Sequence, residues 1–475
     1  MKEQSTLKIK KSEGEIKMKR YLLVIVIILL FLSFAPSQSA SDAIRIRQDE
    51  IGFGARDIAM GGNGVVSSAD YSAIYWNPAG LASLRKTQVS AEFSHLRFDN
   101  SAMFAGNLYE MQSSYTRFRN FGIAVPLPTA RGSLVFGLGY NFVKDFDDYL
   151  YFEGFNTLSN GTEFELEDDN GNYDWYSFDK NVQQTEEVTA EGGLHQWSFA
   201  GALSLSPSLD VGATINFWSG REEYQLNFYQ EDSENLYTVY PGDFHSYSLS
   251  QGLITNYQAF SLKLGSMFQL NRSARLGLSA ELPTTFKITE DYTSSDELVF
   301  DDGYTDALEY EPSSWEYQVK TPFRFDGGIG LDLETIQLTA GLTYQDWRQT
   351  RFEKPTDLAY DADYQDLLDE NQILQKEYRE TINYHLGGEI GFPNTNLFVR
   401  GGYAYYPSPL KDADPERDKQ VYSGGIGLRI AYGTYLDLTY RYSSWSRESE
   451  DIYTPGGTLE DITENRIFLG FRYNF

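Results

Sequence analysis

The chain has no cysteine among its 475 residues, so it has no disulfide framework, no thiolate nucleophile and no Cys-ligated metal. Histidine is almost as scarce. His95, His195, His245 and His385 lie far apart with no motif around them, which leaves little material for a metal site or for a Ser/His or Asp/His catalytic pair. Basic residues are outnumbered, 39 Lys and Arg against 68 Asp and Glu, and the net charge of −29 excludes a nucleic-acid partner because a polyanion is repelled. Long apolar runs are also missing. Mean hydropathy is −0.43, and only one stretch approaches the about 20 residues that a spanning helix needs, so a helical-bundle membrane protein is excluded. Aromatic residues, by contrast, are abundant: 35 Tyr, 31 Phe and 7 Trp make up 15% of the chain.

The single apolar run, Tyr21 to Ala35, follows the basic cluster Lys17-Met18-Lys19-Arg20 and precedes the small residues from Ser37 to Ala43. A basic region, a short apolar core and a small-residue region together read as a secretory signal peptide over residues 1–40. Cleavage is expected near Ala40, with Ser39 and Ala43 as alternatives, and Met18 is a possible true start. An uncleaved anchor is disfavoured by the short apolar core, and without cysteine there is no lipid attachment site.

From residue 87 to 475 the dominant pattern is alternation with period two, the signature of strands with two different faces. In the last segment Ile467, Leu469, Phe471, Tyr473 and Phe475 share one face, against Gly470, Arg472 and Asn474. Leu436, Leu438, Tyr440 and Tyr442 alternate with Tyr435, Asp437, Thr439 and Arg441 in the same way. Fourteen strands can be laid out, among them continuous segments at 274–290, 315–333 and 335–350. Tight turns such as Pro393-Asn394 and Gly433-Thr434 alternate with long polar loops. An even strand count, alternating short and long connections and a terminal aromatic strand predict an all-β membrane fold: a 14-stranded antiparallel outer-membrane β-barrel, multi-pass, in a Gram-negative bacterium. A soluble sandwich or propeller would not account for the signal peptide and the loop asymmetry together.

Residues 147–192 are read as a long acidic outer loop, and 224–251, 291–314 and 351–377 are acid-rich too. The run from Glu167 to Asp174 offers oxygen ligands but lacks the spacing and closing Glu of a Ca²⁺ loop, so no metal is assigned and the loops read as solvated surface. Tyr364, Leu367, Leu368 and Leu374 approximate helical spacing, which predicts a short helix within 361–377.

Residues 41–86 are rich in glycine and small side chains, with Asn77-Pro78 placed as a helix cap followed by proline at the first helical position. The segment lacks the preceding strand and the Lys-Ser/Thr that a phosphate cradle requires. It reads as a plug folded into the lumen, its Asn77-Pro78 turn set against the wall near strand three.

Gly54-Ala-Arg-x-x-Ala-Met-Gly-Gly, followed by Asp70-x-Ser-Ala-Ile-Tyr-Trp-Asn-Pro-Ala-Gly-Leu81, resembles the N-terminal hatch of the FadL/TodX outer-membrane hydrocarbon transporters. Pro322 to Leu331 and Leu338 to Trp347 resemble that family's paired strands, and Arg400 to Leu410 is similar to its Arg-x-Gly-Tyr-x-Tyr signature. A hatch of this kind is shared with PorV-like secretion-system barrels, which leaves a scaffold that binds protein partners as the alternative. The resemblance implies passive transport without enzymatic chemistry or cofactor. A hydrophobic cargo, foremost a long-chain fatty acid, would be captured at outer loops, bound in the lumen and released sideways when the hatch shifts. The hatch motif would then be Asn77, Pro78, Ala79 and Gly80. Gly137 and Gly139 in strand three are candidates for the wall kink, or else for close packing of the hatch. Arg324, Arg348 and Arg351 are candidates for a cargo carboxylate, though each taken singly reads more readily as paired with a lumen or loop carboxylate. The expected surroundings are outer-membrane lipid and lipopolysaccharide, and the expected state is a monomer.

Overall fold

A computed structural model describes residues 38–475 except 169, 357 and 358. The apolar core of the expected signal peptide lies outside the described residues. Among the described residues no helix is long and apolar enough to cross a membrane; the crossing elements are strands.

The wall is a closed antiparallel barrel of fourteen strands. It runs through β1 (Gln88–Phe104), β2 (Asn107–Leu127), β3 (Leu134–Asp145) and its outer continuation β4 (Asp148–Asn156). A small outer hairpin, β5 (Glu163–Glu167) and β6 (Tyr173–Ser177), precedes β7 (Val182–Ser206), β8 (Leu209–Glu231) and β9 (Phe244–Gln269). The seventh wall strand is β10 (Ala274–Glu281) with β11 (Thr285–Phe300), and the short β12 (Thr305–Glu309) pairs with the outer end of β11. The eighth is β13 (Ser313–Lys320) with β14 (Arg324–Leu333), and the ninth is β15 (Ile336–Asp346) with β16 (Arg351–Glu353). β17 (Glu380–Phe392), β18 (Leu397–Tyr406), β19 (Lys419–Ala431), β20 (Thr434–Ser449) and β21 (Thr458–Asn474) complete the wall. Pairing from Gln88↔Asn474 to Met103↔Leu459 closes it.

The polarity of the fold is inverted. Ile467, Leu469 and Phe471 are 39–47% exposed on the outer face, whereas Arg466 and Phe468, at the alternate positions, point into the lumen and are buried. Leu438 and Tyr440 likewise face out while Asp437, Thr439 and Arg441 face in. Lipid is the solvent that such a face requires.

Three wall strands expected to be continuous are interrupted. Pro283 and Pro322 have no N–H to give to a ladder, and they split the seventh and eighth strands at the same level. Thr321 mends the gap by donating its N–H (2.8 Å) and its hydroxyl (3.1 Å) to the carbonyl of Thr284. In the ninth strand the Asp346 carboxylate accepts from the Arg348 N–H (3.2 Å) and starts a 3-10 turn over Trp347–Gln349. Residues 147–192, read as one loop, instead hold β4, the β5–β6 hairpin and the start of β7. Buried Leu150 and Phe152 form an alternation that the surrounding acids mask. The expected outer helix is present as α5 (Gln365–Glu377), behind a 3-10 turn at Asp361–Tyr364.

Inside the barrel lie four short helices: α1 (Ala40–Arg45), α2 (Ala55–Ala59), α3 (Gly64–Ser67) and α4 (Ala73–Trp76), followed by a 3-10 turn at Pro78–Ser83. Most of this segment is buried.

Candidate functional site

The lumen has a floor, a chamber and a break in its wall. The floor is the hatch, organised around one buried carboxylate. Asp57 is fully buried and accepts hydroxyl bonds from Ser67, Ser68 and Ser72, each at 2.6 Å, which ties α2 to both ends of the following loop. Asn77 does two jobs at once: its Oδ1 accepts from the Ala79 N–H (3.1 Å), while its Nδ2 donates to the carbonyls of Val65 (2.8 Å) and Ser266 (3.0 Å). Pro78 and Ala79 are buried behind it, and a Cβ on Gly80 would stand 2.3 Å from the Ser68 carbonyl oxygen.

The wall receives the hatch at glycines. A Cβ on Gly265 would lie 2.1 Å from Asn77 Oδ1, and one on Gly212 would lie 2.6 Å from the Pro78 carbonyl carbon. The Asn77-Pro78 turn therefore abuts β8 and β9, the fifth and sixth wall strands, and not the third. Strand three meets a different part of the hatch. A Cβ on Gly139 would fall 1.9 Å from Tyr71 Oη, and Gly137 faces Ile74 and Leu81 at ordinary contact distance. Tyr71 donates its hydroxyl to Asn141 Oδ1 at 2.9 Å, fixing that contact.

Charge then fastens hatch to wall. One chain of ion pairs leaves the hatch at Asp70, passes to Arg472 (2.5 Å), Asp437 (2.8 Å), Arg400 (2.6 Å) and Glu389 (2.6 Å), and returns to the hatch at Arg56 (3.0 Å). A second group lies higher. Arg47 pairs with Glu50 and with Glu281 (3.1 Å), and Arg324 joins Glu50 (3.3 Å) to Asp326 (3.0 Å). Alternating signs make these buried charges tolerable, since each would be costly alone.

Above the floor is an apolar chamber, filled in this structure by packed side chains. Phe146, Trp218, Tyr257, Phe286, Tyr317, Phe352 and Leu374 are buried in one cluster with Ala40, Ala43 and Ile44 of α1. α5 folds over it from the outer connection between the ninth and tenth wall strands, and Glu370 accepts from the Ala40 N–H at 2.7 Å. Farther out, an open groove of about 630 Å³ runs between Lys376, Lys411, Arg417, Arg447 and Leu459.

The break lies between strands two and three. The β2–β3 ladder runs from Leu127↔Leu134 to Asn120↔Asn141 and stops, although β2 continues outward for more than ten residues. On the other side β3 stays with β7 through an irregularity between Phe142 and Lys144, opposite His195 and Leu194, after which Asp145 pairs with Gly193 and the Phe146 N–H bonds the Gly192 carbonyl. Gly192 has φ +138°, and a Cβ there would stand 2.1 Å from the Arg221 carbonyl oxygen, so the wall bends where only glycine fits. Gly137 and Gly139 themselves pair regularly with Ala124 and Gly122.

The three arginines suggested for a cargo carboxylate are all engaged by protein carboxylates. Arg324 is held by Glu50 and Asp326, Arg348 by Asp346 (2.8 Å) and Glu380 (2.7 Å), and Arg351 by Glu353 (2.6 Å). Arg348 and Arg351 are moreover 46% and 54% exposed on the outer side. The arginines that the sequence reading passed over, Arg117, Arg119 and Arg466, lie at the break itself. They sit on strands in period-two register with apolar neighbours, a signal for an inward charge. Among the described residues no group of His, Cys, Asp and Glu is arranged to hold a metal ion.

Comparison with known proteins agrees with this architecture. No curated protein matches the sequence. Among solved structures, the toluene transporter TodX of Pseudomonas putida superposes with TM-score 0.57 at 14% identity, over 90% of this chain and 99% of that one. A FadL homologue of Pseudomonas aeruginosa gives 0.55 at 14%, over 87% and 96%, and the toluene transporter TbuX of Ralstonia pickettii gives 0.52 at 14%, over 90% and 99%. The family model for outer membrane protein transport proteins (OMPP1/FadL/TodX) matches residues 176–460, more than half of the chain. A hatch-filled fourteen-stranded barrel with this match places the chain in the OMPP1/FadL/TodX family, as a multi-pass transport barrel of the Gram-negative outer membrane and not an enzyme.

Proposed function

We propose that the protein carries hydrophobic molecules, foremost long-chain fatty acids, passively across the outer membrane. Cargo enters at the outer loops, lodges in the aromatic chamber above the hatch, and leaves sideways through the break between β2 and β3. The observation that carries this reading is the position of the break. It lies beside the chamber, at Phe142–Asp147, and Phe146 belongs to the chamber's own apolar cluster. Apolar pockets with a few polar groups at their margin are the usual hosts for such ligands. The floor supports a sideways route, because a hatch bonded to strands on both sides of the barrel offers no wide path downward. Hatch movement then gates the chamber: α1 occupies it, and the Asn77 to Gly80 turn is the fulcrum against β8 and β9. The barrel works as a monomer, its lipid-facing belt surrounded by outer-membrane lipid and lipopolysaccharide.

TodX and TbuX are described as toluene transporters, which makes small aromatic hydrocarbons the natural comparison cargo. The test is oleate and toluene uptake in a transporter-deleted host expressing this protein, with planar-bilayer conductance in parallel. Oleate uptake with little ion conductance is expected. Large steady conductance without oleate uptake would mean a water-filled pore and would overturn the reading; toluene uptake alone would replace the fatty acid by a smaller cargo.

A further inference from the structure

Where the β2–β3 ladder stops, side chains take over. Arg119 on β2 reaches Asp145 at the end of β3 (2.7 Å), and Arg117 pairs with Asp147 and approaches Asp145 at 3.5 Å. Arg466 on β21 completes the group by donating Nη1 to the same Asp145 oxygen at 2.8 Å. Glu464 adjoins it, held by Arg441 (3.2 Å) and Lys419 (3.4 Å). This connected cluster holds five cations, Arg117, Arg119, Lys419, Arg441 and Arg466, against three carboxylates, Asp145, Asp147 and Glu464. In a chain of net charge −29 the balance here is reversed.

The cluster is also incompletely bonded. Arg466 is 1% exposed, yet among the described residues its Nε and Nη2 have no hydrogen-bond acceptor; the Glu464 carboxylate oxygen is 3.9 Å from Nη2. Leaving buried donors unmet is costly. Nε and Nη2 form one edge of the guanidinium, the edge that receives a carboxylate with two parallel bonds. Arg119 is equally buried and already shares Asp145 with Arg466, so a second carboxylate arriving there would meet two arginines held by a single acid.

We propose that the Nε/Nη2 edge of Arg466, backed by Arg119, seats the carboxylate head group of an amphipathic long-chain cargo at the break through which it leaves. The inference rests on the transport reading above and adds which end of the cargo is recognised, and where. Docking there leaves the Nη1 bond to Asp145 in place but sets a second negative charge beside it, sharing the arginine charge that holds Asp145, and so loosens the side-chain stitch between β2 and β3. The latch is opened by the cargo that needs it.

The experiment compares oleate with oleyl alcohol, which has the same chain without the charge, by tryptophan-fluorescence titration of the purified full-length barrel in detergent at pH 8. The wild type is expected to prefer oleate at least tenfold. Arg466→Gln should bring that ratio near one, and Arg466→Lys should keep part of it. Heat-modifiable gel mobility confirms that each variant is folded; should Arg466→Gln fail to fold, Arg466→Lys and Arg119→Lys carry the comparison. Equal binding of oleate and oleyl alcohol by the wild type, or an oleate preference unchanged in the folded variants, would overturn the head-group seat while leaving transport intact. Binding of neither ligand would overturn the long-chain cargo reading, and the seat with it.

Discussion

Removing the Asp57 carboxylate should release the hatch without unfolding the barrel. Among the described residues the Asp57 carboxylate bonds only within the hatch, to Ser67, Ser68 and Ser72, and makes no ion pair to the wall. Hydrogen bonds to a charged group contribute about 1.5–3 kcal/mol each, so three sum to about 4–9 kcal/mol before correction. Removing a buried charge returns several kcal/mol of desolvation cost, and bonds that share one acceptor are not additive. A net loss of about 2–4 kcal/mol follows for Asp57→Ala, which raises the opening constant of the hatch roughly 30- to 700-fold. Hydrogen exchange of amides in 54–80 should accelerate by that factor, with wall amides such as those of β20 and β21 unchanged. Asp57→Asn, similar in shape and uncharged, should fall between. Hatch exchange at the wild-type rate in folded Asp57→Ala protein would refute the idea that this carboxylate organises the floor.

Other outcomes follow from the same geometry. Asn77→Ala should lose a cap worth about 0.5–2 kcal/mol together with the bonds to Val65 and Ser266, and should alter uptake at equal surface level; unchanged uptake would separate the turn from gating. Gly139→Val should drive Tyr71 off strand three at a cost of about 1–3 kcal/mol, read as faster exchange at the Tyr71 amide. Protease added to intact cells should cut the outer hairpin at 163–177 and spare the turn at 393–396; the reverse would invert the topology. At the outer ends of β7 and β20, clear of the lipid belt, burial and the neighbouring Asp451 push the Glu186 carboxyl up to about 9. The folded state therefore keeps a proton that the unfolded chain gives up near the ordinary carboxyl value, so stability of the 450–457 loop falls as pH rises through that interval. Proteolysis of this loop should increase from pH 6 to pH 9, and Glu186→Gln should flatten the dependence.

Much of the wall was legible because lipid and lumen demand opposite chemistry on alternate residues. Ile467, Leu469 and Phe471 against Arg466 and Arg472 could hardly be read otherwise. Even the strand count survived the proline interruptions, since Thr321 bridges the gap and each pair of segments still crosses once. What the pattern could not show is height. Acidic residues around Leu150 and Phe152 hid an alternation that continues above the membrane, and the 147–192 stretch consequently read as loop. Nor does period two say which wall strand meets which part of the hatch. The glycines that do so, Gly139 to Tyr71, Gly212 to Pro78 and Gly265 to Asn77, share the inward register, but only the folded hatch reveals their partners.

The site was harder for a related reason. Looking for a free cation in an acidic chain favours arginines near strand ends, such as Arg348 and Arg351, where carboxylates are also most plentiful; both are accordingly paired. A lumen position is more informative, because there a charge is kept only if something meets it. By that criterion most inward arginines have a complete account. Arg400 and Arg472 lie in an alternating chain that begins and ends in the hatch, and Arg324 bridges hatch and wall. Arg466 does not, since among the described residues two of its three nitrogens have no acceptor and the one carboxylate it hydrogen-bonds is shared with Arg119. The wall lacks backbone pairing at that same height. Backbone pairing would have made arginine stitches unnecessary, and a purely structural stitch would have matched each arginine with an acid of its own.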